Sequence, residues 1–148
     1  IGRMIRGCRA LDIPIVWAEQ YPKGLGPTLP EVARHLDGFE PIAKNAFSCC
    51  GDAGFRKALE ATARRQVLVC GIETHICVFQ TVRDLLEDGY DVEVVVDCVS
   101  SRTEAGKAIG LERMRVAGAR PTTVEMALYE MLGKAGGELF KKILEIVK

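Results

Sequence analysis

The chain has 148 residues, 48% of them hydrophobic, which is enough for one domain with its own core. Its 20 basic and 20 acidic residues cancel, arguing against nucleic acid or an anionic membrane as the main partner. No apolar run approaches a membrane span, and no secretory leader is read in it.

Ile1, Met4, Ile5, Cys8 and Leu11 fall at helical spacing, so the chain opens inside an amphipathic helix. That helix has neither an N-cap nor an initiator methionine, and the expectation is an N-terminally incomplete domain spanning residues 1–148. Ile13 to Ala18 reads as a strand, with Pro14 near its start. Glu19 to Thr28 is a Gly/Pro-rich loop at its carboxyl end. A short helix over 29–36 and a short strand around Pro41 to Lys44 follow, then a helix over 55–65.

Gln66 to Cys70 is a buried strand ended by Gly71, and Thr74 to Asp88 is a helix closed by Gly89. Asp91 to Val99 is a Val-rich strand. Ser101-Arg-Thr-Glu104 matches a capping box for a helix running to about Ala117, closed by Gly118. Arg120 to Val124 holds a last short strand or turn, unless the second box, Thr122-Thr-Val-Glu125, starts a helix there. An amphipathic helix over 137–148 ends the chain. Strands alternating with helices predict an α/β fold, a parallel sheet covered on both faces. Ligands on such sheets bind beyond the carboxyl ends of the strands.

That rule brings three segments together: the loop 19–28, the segment around Lys44, and the turn from Gly71 to Cys77. Cys77 falls at the start of its helix, where free N–H groups and the helix dipole favour a thiolate nucleophile. Read alone, it fits equally a buried cysteine of no chemical role. Lys44 is a candidate partner whose ammonium would stabilise the thiolate, or else a solvated surface lysine. Tyr21 and Phe47 either line an apolar substrate pocket or pack under loops.

The other five cysteines include no C-x-x-C pair, and His35 and His75 lack zinc spacing, so neither metal nor cofactor is expected. The thiols read as reduced and the compartment as cytoplasmic. Vicinal Cys49-Cys50 is either a redox pair or two ordinary loop residues. No role is read for His75.

Gly71-Ile-Glu-Thr-His-Ile-Cys77-Val, with Gln80-Thr and Asp84-Leu-Leu-Glu-Asp-Gly-Tyr90, resembles the signature of the isochorismatase-like cysteine hydrolases. So do Glu19-Gln-Tyr-Pro-Lys-Gly-Leu-Gly-Pro27, Lys44-Asn-Ala-Phe-Ser48, Val96-Asp-Cys-Val-Ser-Ser-Arg102 and Leu111-Glu-Arg-Met114, most of all in the branch of isochorismatase domain-containing proteins. The resemblance implies a Rossmann-like three-layer α/β/α sandwich and an Asp–Lys–Cys triad, with Cys77 and Lys44 at two of its positions. No residue here matches the aspartate. It also implies a cis peptide at Ile72–Glu73, aiming the Glu73 N–H with that of Cys77 at one point as an oxyanion hole. A Thr74 side chain capping the helix would compete for the second donor.

The implied reaction is acyl transfer. The thiol attacks an amide-type carbonyl of a small molecule, a thioester forms, and water releases it. A nicotinamidase-type metal cluster finds only His35 and Asp37 in the relevant stretch, and so is not expected. A homo-oligomer, dimer or tetramer, is expected. Two rivals stand beside the hydrolase: an inactive binding or scaffold protein of the same fold, and a thiol redox protein using Cys77 with Cys49 or Cys50. The resemblance further implies a first strand lying between the strands 13–18 and 66–70. Without it those strands should stand two strand spacings apart, roughly 10 Å; direct pairing would mean a rearranged fold.

Overall fold

Helix α1 (Gly2–Ala10) opens the chain, and the computed structural model describes residues 1–148 throughout. Its buried side is Met4, Ile5, Gly7 and Cys8, the stripe that the apolar spacing predicts. The strand expected over 13–18 is corrected: residues 13–16 enter no ladder, Trp17 gives only its carbonyl, which accepts the Ile42 N–H at 2.8 Å, and β1 is only Ala18–Gln20. The apolar alternation there has another cause. Ile13 and Ile15 pack against one core cluster while Val16 and Ala18 pack against another.

The loop expected over 19–28 is corrected too, since Glu19 and Gln20 belong to β1 and two single-turn helices follow, α2 (Pro22–Leu25) and α3 (Pro30–Ala33). Each begins on a proline, whose fixed φ suits a helix start. The loop is strapped back onto β1: the Thr28 N–H donates to Glu19 Oε1 at 2.7 Å, and Trp17 Nε1 donates to Thr28 Oγ1 at 2.8 Å.

β2 (Ile42–Lys44) pairs in parallel with β1, placing Gln20 opposite Lys44. After a 3₁₀ turn at Cys49–Gly51 comes α4 (Ala53–Ala61), which starts before residue 55 because the Asp52 carboxylate accepts the Phe55 N–H. Then follow β3 (Gln66–Ile72), a π-helical turn (Thr74–Val78), α5 (Phe79–Glu87), β4 (Asp91–Ser100), α6 (Glu104–Val116), β5 (Arg120–Thr122), α7 (Val124–Leu132) and α8 (Gly137–Val147). Both capping boxes mark helix starts, but the capping residues are Thr103 and Thr123, which accept the Gly106 and Met126 N–H groups. The segment after Arg120 holds both a strand and a helix rather than one of them.

β3, β4 and β5 form one parallel sheet with β4 central. β1 and β2 form a second, and no ladder joins β1 to β3. Helices cover both faces of the three-stranded sheet. Phe55 and Leu59 of α4, Val82 and Leu85 of α5 and Met114 of α6 pack with Val92, Val94 and Val99 of β4. Met4 and Cys8 of α1, Leu128 of α7 and Ile143 of α8 pack with Val95 and Cys98. The result is three layers, α/β/α, with the carboxyl ends of β1, β2 and β3 open for a site.

Candidate active site

Lys44 ends β2 and is 5% exposed. Its Nζ donates three times: to Gln20 Oε1 at 2.5 Å, to the Phe47 carbonyl at 2.8 Å and to the Ala46 carbonyl at 2.9 Å. An ammonium has three N–H groups, so all are used. Gln20 is held in turn by its Nε2, which donates to the Asn45 carbonyl at 2.8 Å. The same Gln20 Oε1 accepts the Cys77 thiol at 3.9 Å. Lys44, Gln20 and Cys77 therefore converge on one oxygen.

Cys77 lies in the π-helical turn, not in the first turn of an α-helix. The wider turn shows in the Val78 N–H, which donates back five residues to the Glu73 carbonyl at 3.2 Å. Thr74 does not cap it. Its side chain is fully buried, and its hydroxyl donates to the Ser100 carbonyl at 2.9 Å and accepts no N–H of the turn. The Ile72–Glu73 peptide bond is cis. The Glu73 carboxylate is clamped by Arg102 Nε at 2.9 Å, with His75 Nε2 at 3.6 Å. His75 Nδ1 lies 2.9 Å from Ser101 Oγ, so His75 braces the turn against the end of β4.

Tyr21 and Phe47 flank the convergence through backbone: the Tyr21 N–H donates to the Lys44 carbonyl at 2.8 Å, and the Phe47 carbonyl accepts Nζ. Their side chains are more than half exposed. Cys49 approaches from the other side, its N–H on Thr81 Oγ1 at 2.9 Å, one turn beyond Cys77. Burial pushes the Cys49 thiol up, against the Thr81 hydroxyl and the Lys44 charge, which pull it down. Burial also pushes Cys50 up to about 11. No group of three or more His, Cys, Asp and Glu is placed to hold a metal.

Gln20 and Glu19 are the polar residues that sequence reasoning missed. The signal was the pair of polar residues closing an apolar run, which reads as loop until the pairing of β1 with β2 is known.

The isochorismatase domain model matches residues 1–126. A mouse protein, isochorismatase domain-containing protein 2A, is 42% identical over 148 residues, 99% of this chain and 70% of its own. This chain belongs to the isochorismatase family. Among solved structures of similar chains, the MAR1 ribonuclease from Caenorhabditis elegans is 39% identical at a TM-score of 0.91, covering 99% of this chain and 75% of that one. YcaC from Pseudomonas aeruginosa, described with hexane-2,5-diol and covalent acrylamide, is 25% identical at a TM-score of 0.90, covering 97% and 73%. The isochorismatase family includes hydrolases, and the three-layer sandwich is their fold. No helix here is long and apolar enough to cross a membrane.

Proposed function

We propose that the chain is a cysteine hydrolase that cleaves an amide-type C–N bond of a small molecule through a thioester on Cys77. The observation that carries this reading is the convergence of the Cys77 thiol and the buried Lys44 ammonium on one oxygen beyond the carboxyl ends of the strands. A fixed cation beside a thiol favours the thiolate. Attack on a carbonyl needs donors for the oxyanion, and the Glu73 and Cys77 N–H groups are assigned that role. Tyr21 and Phe47 are assigned to the substrate. The aspartate that would take the thiol proton has no match in residues 1–148, so the test uses a substrate with a good leaving group, which asks only for the nucleophile and the donors.

Incubation with p-nitrophenyl acetate should release a burst of nitrophenolate and leave an acetyl group on Cys77, read by peptide mass spectrometry. Cys77→Ala should abolish both. An acetyl group on another cysteine, or none, removes the hydrolase reading and leaves a binding protein of the same fold. YcaC with its covalent acrylamide supports a reactive nucleophile in the family. The name of the MAR1 ribonuclease supports a second reading, hydrolysis of RNA; Cys77-dependent loss of a labelled oligonucleotide would replace the amide with a phosphodiester. We assign the protein to the cytoplasm, on a core large enough to fold without disulfide staples. A homo-oligomer, dimer or tetramer, is supported by the exposed Leu25 and Leu29, and light scattering of the purified chain tests it.

A further inference from the structure

Resting on that reading, we propose that Gln20 is a positioning residue that holds the Cys77 thiol and occupies one N–H of Lys44 until it is displaced. Three observations combine. The Gln20 Nε2 is committed to the Asn45 carbonyl, so the carboxamide cannot turn over, and Oε1 is the atom facing the site. That oxygen can only accept, so the Cys77 S–H must donate to it. Finally, the remaining two N–H groups of Lys44 are spent on the Phe47 and Ala46 carbonyls, so the lysine has no donor for a thiolate while Gln20 is in place.

Moving Oε1 away changes both terms in one direction. The thiol loses its acceptor, and one Lys44 N–H becomes available to the sulfur. A substrate whose own amide group bonds Asn45 or Lys44 would make that exchange on binding. The sulfur is then free to react only when a substrate is present. In this arrangement Gln20 touches the reacting sulfur only in the resting state.

The test is alkylation of Cys77 by iodoacetamide, followed by peptide mass spectrometry from pH 5 to pH 10 on the full 148-residue chain. Gln20→Met keeps the volume and removes the acceptor. Labelling at pH 7 should rise about threefold to tenfold. Gln20→Glu keeps an acceptor and adds a negative charge beside the sulfur, so its labelling at pH 7 should fall. Opposite shifts from the two variants cannot come from loosening of the fold, which would raise both rates. If Gln20→Met fails to fold, Gln20→Leu, which also removes the acceptor, takes its place in the comparison with Gln20→Glu. Profiles superimposed on the wild type, or both shifted the same way, overturn the proposal. Labelling at this position lost in Cys77→Ala but unchanged in both Gln20 variants would leave the nucleophile intact and remove only the role of Gln20. Absence of fast labelling at Cys77 in the wild type would instead remove the hydrolase reading itself.

Discussion

Lys44 is the costliest single residue in the site to place, because it is a charge held almost out of water. It persists because its three N–H groups all meet oxygens, and two of those are carbonyls three residues or fewer downstream. Lys44→Met should therefore strand the Ala46 and Phe47 carbonyls, each at about 1 to 3 kcal/mol, and lower the urea midpoint as well as acylation. Lys44→Arg should not restore acylation, since a planar fork cannot reproduce three tetrahedral bonds. A second residue ties the same loop to α5. Burial alone would push the Asp84 carboxyl up, but the Ser48 hydroxyl, with the charges of Arg83 and Arg56, more than offsets this and holds it below its ordinary value. A depressed carboxyl contributes stability above its unfolded value of about 3.9, and that contribution is lost as pH falls through the lower folded value. Stability measured from pH 6 downward should fall below about pH 4, and Asp84→Asn should flatten that part of the curve.

The π-helical turn is fixed by what lies against it. A Cβ at Gly110 of α6 would meet His75 Cα and N at 3.0 Å and the Thr74 carbonyl carbon at 3.1 Å, all backbone. Gly110→Ala gains about 1 kcal/mol of helix propensity, but it must push the turn that carries Cys77. We expect acetylation by p-nitrophenyl acetate to slow markedly while the melting temperature moves little. This separation marks what the sequence could reveal. α6 was legible because its signals are local, a cap and a closing glycine, and only the capping residue differed, Thr103 in place of Ser101. The Cys77 turn was legible as a helix start but not as a π turn, because its width is imposed by α6 and by the Thr74–Ser100 contact, both distant in sequence. Gln20 was illegible as a site residue for the same reason. It meets Lys44 only through the parallel register of two three-residue strands, and strand pairing leaves no mark within either partner. Ile13 to Trp17 misled in the opposite sense, since alternation reports two-sided burial whether or not a ladder forms.

At the scale of the molecule, the site spans two sheets that share no backbone hydrogen bond. Gln20 and Lys44 stand on the two-stranded sheet, while Cys77 follows β3 of the three-stranded one. Their alignment therefore depends on side chains: Val16, Ala18 and Ile42 against the core under α5, the Cys49 N–H on Thr81, and the Cys77–Gln20 contact. Two short strands alone are marginal in water, whereas β4 is paired on both sides and largely buried. Amide exchange should then reveal two levels of protection. Val92, Val94 and Val95 should exchange only on global unfolding, and Glu19, Ala43 and Lys44 by local opening at lower free energy. Thr81→Val tests the coupling, because it keeps the shape of the residue while removing the acceptor of the Cys49 N–H. It should speed exchange at Ala43 and Lys44 and slow acetylation of Cys77, with β4 protection unchanged. Equal protection in both sheets, or an unchanged acetylation rate in Thr81→Val, would show that the two-stranded sheet is held to the rest by something other than these contacts.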